Sequence, residues 1–496
     1  MQTALTSIDS YKLGHAEMYP PNTTKVYSNF TPRSLTHLKA PKSFEDNRIV
    51  WFGLQGFLCE MHDIWENTFF SKRKDVVAND FGKFVAPFCG PNGFNLDRIK
   101  QLHDLGYLPI SVKALREGSL VPVGVPVLTI TNTHPDFYWL PNFLETWMSA
   151  ELWKSSTSAT IARTYRKIIE YWARRTGGDT DFIAYQAHDF SPRGMSGIAD
   201  AAKSGAGHLL SFLGTDNLPA VQYLDTCYGG LETFVGCSVP ASEHSVMCSE
   251  DIEAELDTYR YILSKYQSGV VSIVSDTYDF FRVVTEYATI LKDEIMGRKP
   301  DAYGLSKVVF RPDSGDPVKI ICGNPEAPQG SPENLGAVEC LWNVFGGTTN
   351  SVGYRTLDSH VGLIYGDSIT TERCNEILRL LSEKKFASDN IVFGVGSYTY
   401  QYVTRDTLGF AMKATYRMTD GQHVQIFKDP KTDNGTKRSA KGLIQVLKNA
   451  DGYYMKDQVS WEEEGNSELK IVYIDGRLEG DIQSIAKIRK YLEEQE

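Results

Sequence analysis

Five short apolar runs in this sequence end abruptly in residues able to do chemistry. The run VVF (308–310) is followed by Arg311, Asp313 and Asp316, one cation and two anions with Pro312 between them. Proline ends ladder pairing and keeps Arg311 extended, so these charges belong at the C-terminal end of a strand. DFIAYQ (181–186) leads into HDFSPRG, where Phe190 offers a face for a flat heterocycle and Arg193 a partner for an anion. VVSIV (270–274) leads into Ser275 and Asp276, VGLIY (361–365) into Gly366 and Asp367, and NIVF (390–393) into GVGSYTY. In the last of these, free amides at Gly396 and Ser397 suit a phosphate if a helix starts there. Taken singly, each is also what a solvated loop looks like; five at equivalent positions point to one shared site.

Other residues add to this set. In ASEHS (241–245), Glu243 stands beside His244, and a carboxylate near an imidazole orients it and raises its basicity. A structural histidine has the same local sequence. GHLLSFLGTD ends in a single acid, Asp216, for which a surface turn is the plain alternative. Arg405, Lys413, Lys428 and Lys437 are cations late in an acidic chain; with Arg193 and Arg311 they would make a cavity suited to several phosphates, although a solvated basic loop accounts for them too. Neither GxGxxG nor GxxxxGK[ST] occurs, which excludes a Rossmann or P-loop reading.

Strands alternating with amphipathic helices from about residue 182 predict a parallel sheet or barrel, and active sites of such folds lie at the C-terminal strand ends. Upstream, LVPVGVPVLTITNT (120–133) predicts an edge strand or hairpin. Apolar positions from about Trp139 to Arg175, among them Phe143, Trp147, Leu152, Ile161, Tyr165 and Ile168, predict a long helix in a core or a subunit interface. After VVSIV a helix is expected over Phe280, Phe281, Val284, Tyr287, Ala288 and Leu291. The expected division is an α+β region with the long helix over 1–178, a barrel-like catalytic domain over 179–400, and a segment over 401–496 that completes the first.

The 496 residues, 42% hydrophobic and 23% charged, describe a globular protein with ample core material. With 51 basic against 62 acidic residues the formal net charge is -11, which argues against general nucleic-acid or anionic-membrane binding. The eight cysteines form no CxxC pair or dense cluster, pointing to reduced thiols in a cytoplasmic protein. No signal-peptide pattern opens the chain, and no run reaches the ~18 apolar residues of a membrane helix.

The ordered set DSYKLGH (9–15), YPPNTTKVYSNF (19–30), HDFSPRG, GTD (214–216), SVPASEHS (238–245), VSDTYD (274–279), FRPDSGDP (310–317), YGDS (365–368), TRD (404–406) and FKDP…KRSAKG resembles the nicotinamide phosphoribosyltransferases of the type II phosphoribosyltransferase group. The resemblance runs nearly end to end. It implies an α/β fold, an irregular parallel barrel domain with a mixed α+β domain built from the N- and C-terminal segments. It also implies transfer of the 5-phosphoribosyl group from phosphoribosyl pyrophosphate to nicotinamide, with Mg2+ and with ATP as a co-substrate. By similarity Phe190 and, from the other subunit of a homodimer, Tyr11 enclose the pyridine ring, while Asp216 and Arg311 meet its carboxamide. Asp313 and Asp367 bind ribose hydroxyls; Gly366, Gly396, Ser397 and Arg405 surround the nucleotide phosphate. Arg193, Ser238, Arg311, Lys413 and Lys437 face pyrophosphate or ATP phosphates, with Arg33 and Lys428 contributing across the dimer. His244 matches a histidine that becomes phosphorylated, with Glu243 and Asp276 beside it; the metal ligands stay unassigned.

Two departures bear on the phosphate pocket. Gly396-Ser397-Tyr398 stands where animal members have three glycines, and Gly366-Asp367-Ser368 where they have GDG. Ala411 replaces a family serine. The rival expectations are a nicotinate phosphoribosyltransferase, against which an ionised Asp216 argues by repelling a carboxylate, and a non-catalytic binding protein on the same fold.

Overall fold

The computed structural model describes residues 2–90, 93–229, 234–248, 252–427 and 440–496. Two sheets dominate. A six-stranded parallel sheet runs in the order Gly214–Thr215, Ala187–Asp189, Val392–Val395, Val361–Tyr365, Val308–Arg311 and Val271–Val274. Its strands are short and largely buried, as expected of strands covered on both faces.

The segment 237–242 closes this sheet. Cys237 bridges Gly214 on one edge, Ala241 bridges Ser272 on the other, and both bridges are parallel. Thr215 N donates to Cys237 O at 2.9 Å, Cys237 N to Leu213 O at 2.7 Å, Ser272 N to Pro240 O at 2.9 Å and Ser242 N to Ser272 O at 2.9 Å. Pro240 has no N–H to give, so this stretch serves both edges without becoming a regular strand. The result is an irregular parallel α/β barrel.

The second sheet is antiparallel and seven-stranded: Gln422–Gln425, Ala411–Thr419, Thr23–Thr31, Leu128–Asn132, Ile110–Ala114, Lys470–Ile474 and Arg477–Leu478. Strands from both ends of the chain thus share it. The 37-residue helix Leu140–Thr176 joins the two cores: Phe143, Trp147 and Leu152 pack with the antiparallel sheet, and Ile161, Tyr165, Ile168 and Trp172 pack with the barrel.

Three expectations need correction. The stretch 120–133 is not one edge or hairpin: Leu120–Pro122 pairs with Arg48–Val50 in a separate ribbon, while Leu128–Asn132 lies inside the seven-stranded sheet. Pro122 and Pro126 divide the stretch because neither can donate to a ladder. DFIAYQ is a helical turn, Asp181–Tyr185, that buries Ile183; the strand is the next segment, Ala187–Asp189. The helix after VVSIV begins at Phe280 and passes through a wider, π-type turn, Val283–Tyr287, before Ala288–Ile290.

Candidate active site at the C-terminal strand ends

The six parallel strands deliver Phe190, Asp216, Asp276, Arg311 with Asp313, Asp367, and Gly396 with Ser397 to one end of the barrel. One group surrounds the ring of Phe190. The His188 ring lies 4.7 Å from it between centroids, and the Arg311 guanidinium carbon is 5.7 Å from its centre. His188 Nε2 is 2.9 Å from Asp216 Oδ1, which also accepts from the Ser238 hydroxyl. Burial alone would raise the Asp216 pKa, but these two hydrogen bonds and the nearby Arg311 charge hold its carboxyl below the usual range. An aromatic platform therefore has an ionised carboxylate and a guanidinium at its edge.

Arg311 is fixed from behind. Its Nη2 donates to Ser242 O at 3.0 Å and its backbone N to Ser275 Oγ at 3.2 Å. Its Nε is buried without a partner among the described residues, a donor that a bound acceptor would satisfy.

The second group is carboxylate-rich. Asp276 Oδ2 accepts from Asp313 N at 2.9 Å, from Ser314 N at 2.7 Å and from the Ser314 hydroxyl, while Oδ1 is 3.2 Å from His244 Nε2. Burial would raise its pKa; the hydrogen bonds and the His244 charge lower it instead. Asp313 behaves oppositely: burial pushes its pKa up, Asp276 and Asp367 add to the rise, and Arg311 and His244 oppose it. Gly366 lets the carboxylate come close, because a Cβ on it would overlap Asp313 Oδ1 and push that side chain aside. On the far side, Gly396 precedes the short helix Ser397–Tyr400, and a Cβ on Gly194, next to Arg193, would collide with the Ser397 side chain.

Sequence reasoning assigned some roles differently from the geometry. Glu243 does not orient His244: its carboxylate accepts from Ser245, and Asp276 is the carboxylate bonded to the imidazole. The two neighbours diverge because Glu243 is the extended N-cap residue of the helix His244–Met247. Asp316 is not a site anion. It caps the helix Pro317–Cys322, accepting from Val318 N at 2.9 Å and from Lys319 N at 3.4 Å.

Other predicted residues have local partners of their own. Tyr11, 60% exposed, packs on His15, and Phe190's described ring neighbours do not include it. Arg33 Nε donates to Gly409 O, Lys413 sits opposite Asn29 on the antiparallel sheet, and Arg405 pairs with Asp406. Lys428 and Lys437 lie outside the described residues. The residues missed were His188 and Ser314. Alternation would have found His188, since it sits two positions before Phe190 and shares its face.

A closed parallel barrel carrying its chemistry at the C-terminal strand ends, joined to an antiparallel sheet made from segments near both chain ends, is the architecture that the resemblance to type II phosphoribosyltransferases implies. The fold matches a solved structure titled nicotinate-nucleotide pyrophosphorylase from Pyrococcus furiosus, with a TM-score of 0.58 over 99% of this chain and 95% of that one at 16% identity. Residues 185–475 match the family model described as the nicotinate phosphoribosyltransferase (NAPRTase) family. Two curated relatives are both called nicotinamide phosphoribosyltransferase. One, from Acinetobacter baylyi, is 50% identical over 476 residues, covering 96% of this chain and 94% of the relative. The other, from Mycoplasma pneumoniae, is 34% identical over 459 residues, covering 89% and 96%. The chain belongs to the nicotinate phosphoribosyltransferase family.

Proposed function

We propose that this phosphoribosyltransferase uses nicotinamide, joining it to the 5-phosphoribosyl group of phosphoribosyl pyrophosphate to give nicotinamide mononucleotide and pyrophosphate in NAD salvage. The observation that carries this reading is the pair at the edge of Phe190. A carboxamide offers an NH2 donor and a carbonyl acceptor; ionised Asp216 accepts from the first and Arg311 donates to the second. Nicotinate has no donor for Asp216 and meets it with like charge. The names of the two bacterial relatives support the same choice.

The chemistry is a displacement at the anomeric carbon: its bond to the pyrophosphate oxygen breaks as the pyridine nitrogen supplies the new bond. Phe190 stacks the base, with Tyr11 of a second subunit covering its other face. Asp313 and Asp367 hold the ribose hydroxyls, and Gly366, the amides at Gly396 and Ser397, and Arg405 surround the nucleotide phosphate. Arg193, Ser238 and Lys413 face the leaving pyrophosphate or ATP phosphates, joined by Arg33, Lys428 and Lys437. Most of the rate comes from positioning and from stabilising the departing charge.

ATP assists through His244. With Nε2–H directed at Asp276, Nδ1 carries the lone pair and takes the terminal phosphoryl group while ADP leaves. Among the described residues no group of three or more His, Cys, Asp or Glu side chains could hold a metal. That suits magnesium arriving with the phosphates and touching one or two carboxylates, Asp313 and Asp367 being the candidates, because it neutralises their mutual repulsion. The homodimer is supported by exposed apolar side chains after the strand ends: Ile198, Leu218 and Tyr402 are each at least 70% exposed. Eight unpaired cysteines favour the cytoplasm, and no described helix is long and apolar enough to cross a membrane.

The test mixes purified protein with phosphoribosyl pyrophosphate, Mg2+ and either base, with and without ATP, and quantifies mononucleotide. Faster turnover with nicotinamide, enhanced by ATP, is expected. Preference for nicotinate would overturn the substrate assignment.

A further inference from the structure

The helix Ile198–His208 ends on an imidazole with no solvent exposure. His208 Nδ1 is 2.7 Å from the Tyr400 hydroxyl, and Nε2 is 3.1 Å from the Gly214 carbonyl. A backbone carbonyl only accepts, so Nε2 carries the proton, Nδ1 carries the lone pair, and the Tyr400 hydroxyl donates to it. Burial keeps the ring neutral, its pKa pulled down to about 4, so this tautomer persists near neutral pH. Phe212 stacks on the ring at 5.3 Å between centroids and Tyr400 meets it edge-on at 5.8 Å.

The two ends of this relay lie at different parts of the active site. Gly214 is two residues before Asp216 and pairs with His188, and a Cβ on it would stand 2.8 Å from His188 Nδ1. The Gly214 carbonyl therefore anchors the strand end that sets the position of the His188–Asp216 pair. Tyr400 is the last residue of the short helix that begins at Ser397. Its carbonyl accepts from the buried Lys154 ammonium at 2.7 Å. The preceding Thr399 is bonded to the Tyr165 hydroxyl at 3.0 Å and to Ile369 O at 2.8 Å, which ties the same turn to the loop carrying Asp367.

We propose that His208 is a positioning residue that holds the base-reading strand end and the phosphate-facing turn in register through one buried imidazole. This deepens the phosphoribosyl-transfer reading and rests on it. Any buried imidazole needs partners for its nitrogens, so the role lies in where these two bonds lead, to the Gly214 strand end and to the turn after Gly396, because displacement at the anomeric carbon needs base and phosphoribosyl group aligned together.

Tyr400→Phe removes one hydroxyl, and His208→Gln keeps a donor for Gly214 O while replacing the fixed ring nitrogen that faces Tyr400 with a carbonyl oxygen on a flexible side chain. Steady-state kinetics with nicotinamide and phosphoribosyl pyrophosphate, run beside thermal unfolding, provide the test. Each folded variant should raise KM for both substrates and lower kcat/KM by about tenfold, as loss of a buried hydrogen bond does. The double variant should lose no more than the worse single one, because both act through one link. Unchanged KM values with only a lower Tm, a KM change for one substrate alone, or additive losses would overturn the proposal. If His208→Gln does not fold, Tyr400→Phe decides by the same criteria. Absence of wild-type turnover with either base would refute the underlying reading too, whereas normal wild-type turnover with unaffected variants refutes only the relay.

Discussion

Asp276 and Asp313 are neighbours whose acidities are driven apart. Three donors and His244 lower the pKa of Asp276, whereas Asp313 is buried beside Asp276 and Asp367 and its pKa rises. In the proposed role, ionised Asp313 gives the ribose hydroxyls a charge-assisted acceptor, which protonation weakens. As pH falls through its raised pKa it protonates, so the acid limb of kcat/KM for phosphoribosyl pyrophosphate should lie above the ordinary aspartate value of 3.8. A pH profile of Asp313→Asn should lack that limb; an unchanged limb would assign it elsewhere. The Asp276–His244 bond supports a second prediction. His244→Ala should abolish ATP stimulation and ATPase activity while slower ATP-independent transfer continues, since in the proposed mechanism the imidazole accepts phosphate and does not attack the sugar. Comparing mononucleotide formation with and without ATP checks this, and persistent stimulation would remove His244 from the role.

At the scale of elements, the site is built by short strands that stop where the charges begin. This much was legible, because apolar runs followed at once by Arg311, Asp313, Asp276 or Asp367 carry both the strand and its end in local composition. The closing segment 237–242 was not, since it meets each edge through one isolated bridge and has no strand-like run. Glu243 misled for a related reason: adjacency in sequence says nothing of direction at a helix start, and Asp276, 32 residues from His244, reaches it through the barrel. Close approach between elements also escapes sequence. A Cβ on Gly394 would stand 2.6 Å from Phe190 Cδ2, 2.6 Å from Tyr365 O and 2.9 Å from Gly366 Cα, and backbone atoms cannot step aside. Gly394→Ala should therefore cost about 1–3 kcal/mol of stability and raise KM for the base by displacing Phe190. Urea unfolding with steady-state kinetics checks both, and a variant unchanged in each would show that the site tolerates the methyl.

For the whole molecule, strands from the N-terminal and C-terminal regions share one antiparallel sheet and the barrel lies between them in sequence, with the helix Leu140–Thr176 shared by both cores. Tyr11 belongs to the first of these regions and is 60% exposed, which suits a side chain that completes another subunit's site. Tyr11→Ala and Arg311→Ala chains should each be weakly active alone. Mixed under conditions of demonstrated subunit exchange, they should regain activity, since one of the two sites in a heterodimer would carry both native residues. Exchange without recovery would contradict shared sites.

The central claim is that the charge on Asp216 chooses the base, and Asp216→Asn tests it by altering that charge with little change of shape. The variant loses a charge-assisted acceptor and gains an amide able to donate; a hydrogen bond to a charged group contributes ~1.5–3 kcal/mol. The decisive measurement is kcat/KM for nicotinamide and for nicotinate in wild type and in the folded variant. Nicotinamide efficiency should fall by roughly ten- to a hundredfold, with nicotinate use rising relative to it. A folded variant that keeps the wild-type preference ratio would contradict the account.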